Sequence, residues 1–490
     1  MIKTVWMPIT LCCVVFMTIG LTSFSQKHPR QPNIIFILSD DHASQAISAY
    51  GSQLTKTPNI DRLASQGVLF NNAFVVSSLC SPSRASILTS QYGAESGFLR
   101  IGDSLDASIN TLPKILQKVN YETAILGKWH LKSRPLGFDY CQVVRDQGLF
   151  FNPAFFTSEN WADKNYKGEV SQGYFTDIIT DKAIEWLENR NTDKPFALFV
   201  HHKAPHAPHI TPEKYDSLFT KDLPFPSNFN EEYSNKNSFL RNDEAPYSKL
   251  QNAYEFDVYN SSSHKNAPPG IKRGTAEYKV WAYQTLYKGY LRQIANLDDN
   301  IGRLVNYINS KGLTENTIIV YTSDNGWFLG QHGLFNKMWM YEESLRVPLI
   351  ISYPGHIVAN KTNANIISSL DFAPTLLDFA SAKIPSSMRG KSFRSILEGN
   401  QPTNWRTSFY YHYYDQFGVP EILGVRTAQY KLIHYIKGDR AEWEFYNLKK
   451  DPFEMDNQIN HPDYIQVINE LKIKLNEEKN KYDLTIHTIK

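Results

Sequence analysis

An α/β fold is predicted: a large, mostly parallel central sheet flanked by helices, then a smaller C-terminal antiparallel sheet subdomain and a terminal helix. Three observations predict it. Apolar runs such as NIIFIL (33–38) and TIIVY (317–321) are continuous, as strands covered on both faces must be. Segments with apolar residues at helical spacing stand between such runs, and polar residues follow each run at its C-terminal end. Beyond Pro385 the texture changes to short aromatic or β-branched runs parted by turns.

The elements follow in order. The strand 33–38 ends in Ser39-Asp40-Asp41, and a helix is expected over 59–66 with Asn59 as its cap. A helix over 111–119 leads to a short strand, 123–126, ending in Gly127-Lys128-Trp129-His130. A helix over 175–187 precedes the strand 196–200, which runs into His201-His202-Lys203. Leu286, Tyr290, Ile294, Leu297, Ile301, Leu304 and Ile308 mark one face of a long helix, which feeds the strand 317–321 and then Ser323-Asp324-Asn325-Gly326. Residues 210–275, rich in Pro, Asn, Ser and Lys, read as an insertion or surface excursion. The C-terminal strands are expected at 409–414, 422–426, 430–435 and 443–446, with an amphipathic helix over 462–480. The division drawn is a signal peptide (1–25), a catalytic α/β part (26–385) and the C-terminal subdomain with its helix (386–490).

The 490 residues are 42% hydrophobic and 20% charged, a globular composition that excludes a disordered chain. Lys plus Arg (51) nearly cancels Asp plus Glu (49), so no broad field favours nucleic acid or an anionic membrane. An anionic substrate must be met by local charge. The start, MIKTVWMPITLCCVVFMTIGLTSFSQK, has a lysine, an apolar run and a small-x-small site at Ser23-Phe24-Ser25, the pattern of a cleaved signal peptide. That places the mature chain in the periplasm or outside the cell, with no membrane attachment after cleavage. Cys12 and Cys13 leave with the signal, so Cys80 and Cys141 remain, and a disulfide between them is one possibility.

Asp40-Asp41 and Asp324-Asn325 each follow a central strand. One such pair is ordinarily a turn or cap, but two on one sheet edge offer oxygen ligands for a hard cation such as Ca²⁺, or less readily Mg²⁺. Arg84, Lys128, His130, Lys203, His206 and Lys337 lie just after strands or in Gly/Pro-marked loops. Singly, each is most simply a solvated charge or a locally bonded histidine; collected, they suit a compact oxyanion.

With SDDH (39–42), CSPSRASILTS (80–90), GKWHL (127–131), HKAPHAP (202–208), TSDNG (322–326), LGQHGLFNK (329–337) and YEESLRVPLI (341–350), the chain resembles a formylglycine-dependent sulfatase of the arylsulfatase type, a branch of the alkaline phosphatase superfamily. The likeness runs from about residue 32 to 446 and is nearest in pattern to secreted bacterial polysaccharide sulfatases. It implies that a maturation enzyme oxidises Cys80 to formylglycine, whose hydrate attacks sulfur with one hydroxyl and expels sulfate with the other. It further implies that Asp40, Asp41, Asp324 and Asn325, with residue 80, ligate Ca²⁺, and that Arg84 holds the diol. Lys128 and Lys337 would clamp sulfate, His130 would take the proton of the second hydroxyl, and His206, near Lys203, would face the leaving group. Ser90 departs from the pattern, because the family commonly has Gly there.

The resemblance implies a sulfated carbohydrate as substrate. An exo-acting enzyme on an algal glycan such as ulvan is preferred, and an N-acetylglucosamine-6-sulfatase of the glycosaminoglycan type is the alternative. A phosphomonoesterase or phosphodiesterase of the same superfamily and a non-catalytic glycan-binding protein are the other readings. In the aromatic C-terminal sheet, His412 and Arg426 are candidates for substrate contact, against the plainer view that these residues serve a sheet core.

Overall fold

The computed structural model describes residues 1–4, 31–163, 165–252 and 267–482. The expected signal peptide, from residue 5 on, lies outside the described residues. The main elements are β1 (Asn33–Ser39), α1 (Pro58–Ser65), β2 (Gly67–Phe70), α2 (Cys80–Thr89), α3 (Leu112–Lys118), β3 (Glu122–Lys128), β4 (Tyr140–Val144), α4 (Phe175–Asn189) and β5 (Phe196–His201). Then come α5 (Ala276–Ser310), β6 (Thr317–Ser323), α6 (Glu342–Leu345), β7 (Leu349–Ser352), β8 (Lys361–Asn363) and α7 (Phe372–Phe379). The C-terminal part holds β9 (Ser408–Tyr413), β10 (Glu421–Thr427), β11 (Tyr430–Lys437), β12 (Arg440–Asn447) and α8 (Ile465–Lys481).

Eight strands form the large sheet in the order β8-β2-β7-β6-β1-β5-β3-β4. Only β7 runs against the others, paired antiparallel with both β2 and β6. The β1 strand shows why its sequence is apolar throughout: Ile34, Phe36 and Leu38 pack with α3 and α7 residues such as Leu116 and Leu376, while Ile35 and Ile37 pack with α4 and α5 residues such as Ile179 and Leu297. Both faces are covered, so alternation would leave polar groups in a core. β9 to β12 form the predicted antiparallel meander, with α8 packed through Ile468, Leu471 and Leu475.

Three local differences have physical reasons. Thr57, not Asn59, precedes α1, because Pro58 takes the first helical position, where a missing N–H costs no hydrogen bond. β2 and β7 are only four residues each and were too short to stand out from loop sequence. The stretch beginning CSPSR, which puts Arg84 on a helix and not after a strand or in a loop, is a ten-residue helix, α2, buried throughout. Its Pro82 falls in the first turn, where proline is tolerated.

Candidate active site

β1 and β6 are parallel neighbours in register Ser39↔Ser323, so Asp40-Asp41 and Asp324-Asn325 leave the sheet side by side. The Asp41 N–H donates to Asp324 Oδ1 at 3.2 Å, and Asn325 Nδ2 donates to Asp41 Oδ1. Gly326 is required here: a Cβ would stand 2.1 Å from the Glu343 carbonyl oxygen, where α6 crosses the strand end. Lys128 closes β3, and Gly127 before it, at φ +103°, would bring a Cβ to 2.0 Å from the His201 carbonyl. Asp41 (φ 64°) and His130 (φ 57°) are also left-handed, a conformation costly for side-chain-bearing residues and common at functional sites.

Cations interleave these carboxylates. Arg84, from α2, bonds Asp324 Oδ2 through Nε at 2.8 Å and the Lys128 carbonyl through Nη1 at 3.0 Å. Lys128 Nζ donates to Asp40 Oδ2 and, at 2.6 Å, to Gln147 Oε1; Lys337 Nζ donates to Asp41 Oδ1. His206 donates from Nδ1 to the Ala207 carbonyl at 2.6 Å, which turns Nε2 toward Asp41 Oδ2 at 3.6 Å. Lys203 is buried with Nζ 4.7 Å from the Phe150 ring centre, and its carbonyl accepts from the His206 N–H at 2.9 Å.

The electrostatics call for a further positive charge. Burial opposes ionisation of Asp40, but Lys128, His206, Arg84 and Lys337 outweigh it and hold its carboxyl well below the usual range. For Asp324, burial and then the Asp40 charge win, pushing it up to about 7. Burial also raises Asp41. Asp41 and Asp324 thus resist ionisation although Arg84, Lys128 and Lys337 stand beside the cluster. Asp40 Oδ1, Asp41 Oδ2 and Asn325 Oδ1 are buried without a hydrogen-bond partner among the described residues, and ligand atoms of Asp40, Asp41 and His206 lie within 4.8 Å of one another. Orphaned oxygens in such a cluster fit a hard cation. A divalent ion would turn three negative against three positive charges into a net excess of two positive charges, suited to an oxyanion.

Cys80 opens α2 and is 1% exposed. A helix N-terminus favours a thiolate, yet burial dominates and raises the thiol, with Lys337 and Lys128 opposing it. The unmodified side chain is therefore a poor nucleophile at neutral pH. Cys141 is also free and buried, so the possible disulfide is not formed. Burial pushes Lys203 down to about 7, helped by Lys128, and burial lowers His130 and His206, which favours neutral imidazoles.

Cys80, His130, His206 and Lys337 line a cavity of about 430 Å³, within the range of small-ligand sites. Its wall adds Gln147, Asn336 and Trp327, which the sequence reasoning missed. Gln147 follows β4 and Trp327 follows Asp324-Asn325-Gly326, so the strand-end rule that found the others also covers these two.

His412 and Arg426 are not brought there, which corrects the expectation of substrate contact. His412 Nε2 bonds Glu421 at 2.7 Å and its ring stacks on Tyr414 at 3.9 Å. Arg426 pairs with Glu342 at 3.2 Å beneath α6. Both are buried. Their sheet serves the site indirectly: Tyr411 donates to the Met338 carbonyl at 2.7 Å, and Lys431 to that of Met340 at 3.0 Å, bracing the segment that carries Lys337.

A sheet edge of this kind, with acidic strand ends, a buried helix carrying Arg84 and flanking lysines, suits a hydrolase of anionic esters. Residues 32–382 match the sulfatase family and residues 330–481 match the family described as N-sulphoglucosamine sulphohydrolase, C-terminal. The chain belongs to the sulfatase family: it is a formylglycine-dependent sulfatase, a sulfuric ester hydrolase. It is 39% identical to an N-acetylglucosamine-6-O-sulfatase of Bacteroides thetaiotaomicron, over 93% of this chain and 88% of that one. An ulvan-active sulfatase of Formosa agariphila is 27% identical, over 92% and 82%. A solved enzyme in complex with its substrate, D-glucosamine-2-N,6-O-disulfate, superposes with a TM-score of 0.85 at 37% identity, over 93% of this chain and 99% of that one. Among the described residues, no helix is long and apolar enough to cross a membrane.

Proposed function

We propose that the chain removes 6-O-sulfate from an N-acetylglucosamine-type sugar, acting at the end of a glycan. The observation that carries this reading is the 39% identity, nearly end to end, with an N-acetylglucosamine-6-O-sulfatase, against 27% with the ulvan-active enzyme. It favours the glycosaminoglycan-type alternative over the algal glycan first preferred. A cavity of about 430 Å³ with Cys80 in its wall is in keeping with one terminal sugar residue.

In this proposal Cys80 is the formylglycine precursor, and the hydrated aldehyde supplies both the attacking oxygen and the means of expelling sulfate. Asp40, Asp41, Asp324 and Asn325 would hold Ca²⁺, which would supply charge that polarises the ester. Arg84 anchors Asp324 and the residue-80 end of α2. Lys128 and Lys337, held on Asp40 and Asp41, present cations to the sulfate oxygens, and Gln147 fixes the Lys128 ammonium. His130, neutral and in the cavity wall, accepts a proton as sulfate leaves. His206 faces the departing sugar oxygen, with Lys203 beside it as the group whose proton is labile near pH 7. The proposal keeps a signal peptide over 1–25, export, a maturation enzyme as partner, and a division between 26–385 and 386–490; the meander at 408–447 supports that division.

The test is sulfate release from N-acetylglucosamine 6-sulfate and from ulvan oligosaccharides, after co-expression with a formylglycine-generating enzyme. Release from the hexosamine ester at least ten-fold faster is expected. Faster release from ulvan overturns the sugar assignment, and an intact thiol at Cys80 in an active preparation overturns the mechanism.

A further inference from the structure

The helix that begins at Cys80 ends against a second cavity, of about 270 Å³. With ten residues at 1.5 Å rise, the ends of α2 are about 15 Å apart. Ser90, just past its end, is tied to the cavity wall: Oγ donates to the Leu370 carbonyl at 2.6 Å and accepts from the Gly390 N–H at 2.9 Å. Leu370 and Arg389 line the cavity, whereas Cys80 lines the other one.

Its lining is cationic. Arg389, Lys391, Arg406, Lys474 and Lys481 face it, with Glu478 as the one acid among the described lining residues. Asp371 holds Arg406 and Glu95 holds Arg389. Five positive charges therefore meet three negative ones, and Lys391 and Lys474 have no ion-pair partner among the described residues. Positions 474, 478 and 481 share one face of α8. Tyr410, 1% exposed, is also among the lining residues. Ammonium groups left without an ion-pair partner in a lining of excess positive charge offer charge-assisted bonds to an oxyanion. Tyr92, Trp405 and Tyr482 give the same cavity an aromatic wall.

We propose that this cavity is a second, non-catalytic site for a sulfate-type oxyanion, held by Lys391 and Lys474, about one helix length from Cys80. The oxyanion is either a sulfate group carried on a sugar, with the ring against the aromatic wall, or free sulfate released by the reaction. The inference goes beyond the proposed reaction and does not depend on which sugar ester is hydrolysed.

Calorimetric titration of the full chain bearing Cys80→Ala, at low salt, with N-acetylglucosamine 6-sulfate and separately with sodium sulfate, tests it. Two sites are expected for at least one probe, falling to one in Lys391→Ala/Lys474→Ala, with the lost site weakened at least ten-fold. With Cys80 intact, the double-lysine variant should keep the parent kcat. A sugar ester binding ten-fold tighter than sodium sulfate assigns the site to a glycan, and equal binding assigns it to the free anion. One site for both probes, two sites surviving in the double variant, or a second site seen only after residues 483–490 are removed overturns the proposal.

Discussion

Two buried charge clusters lie on either side of the segment 337–342, and they differ in what they leave undone. At the sheet edge, Asp40, Asp41 and Asp324 face Arg84, Lys128 and Lys337, and unpaired carboxylate and amide oxygens remain beside an open cavity. Under the C-terminal sheet, Lys431 bonds Glu342 at 2.9 Å and Glu454 at 2.7 Å, while Arg426 takes the other side of Glu342. That cluster is as deeply buried and also shifts its acids: burial and Glu342, against Lys431, push Glu454 up to about 7. Yet none of these side chains lines the cavity. Burial, perturbed titration and orphaned atoms such as Arg426 Nη1 are thus common to a site and to a brace, and the open cavity beside the orphaned oxygens separates them.

The sharpest break between the two comes from Cys80→Ala. Loss of the nucleophile should lower sulfate release by at least ~10⁴-fold, while the fold, losing one small buried side chain, changes by about 1 kcal/mol or less. Sulfate release and Tm measured on one preparation check both halves. Next is the cation. Calcium at a hundred times its Kd should stabilise the parent by about 2.7 kcal/mol, and Asp41→Asn should abolish most of that gain. A thermal shift with calcium equal in parent and variant would show that the orphaned oxygens do not hold the ion.

The brace should respond in the opposite sense. Lys431→Met leaves two glutamates buried without their shared cation, at a cost of about 3–5 kcal/mol. Denaturant unfolding should show that loss, with calcium-induced stabilisation retained. A fully stable Lys431→Met chain with lowered kcat would instead make Lys431 part of the site.

The site was legible wherever a chemistry-bearing residue directly follows a strongly apolar strand, because sheet topology alone then sets its position. Asp40, Lys128, Lys203 and Asp324 are of this kind. Gln147 was missed because β4, with Tyr140 and Gln142 in five residues, is a weak strand signal. His412 and Arg426 misled because composition does not tell which face of a half-covered sheet a side chain takes, or whether Glu421 and Glu342 await it. The parallel core was readable from β1 and β6; β2 and β7 draw their strand character from pairing with distant neighbours.

The smallest effect concerns Ser90, where the family commonly has Gly. The residue ends α2 at φ 55°, ψ 35°, a left-handed conformation that disfavours a Cβ by about 1 kcal/mol. Taken alone, that strain makes Ser90→Gly stabilising. The hydroxyl opposes it, donating to Leu370 O at 2.6 Å and accepting from Gly390 N at 2.9 Å in a buried setting. Two net hydrogen bonds contribute about 1–3 kcal/mol together, and the glycine variant leaves the Gly390 N–H unpaired. The bonds outweigh the strain, so Ser90→Gly should lose about 1 kcal/mol, a fall in Tm of roughly 1–2 °C in a chain of this size. Sulfate release should be unchanged, since the helix end at Cys80 is about 15 Å away. A rise in Tm would mean that backbone strain governs this position, and that the serine is kept for the cavity it borders.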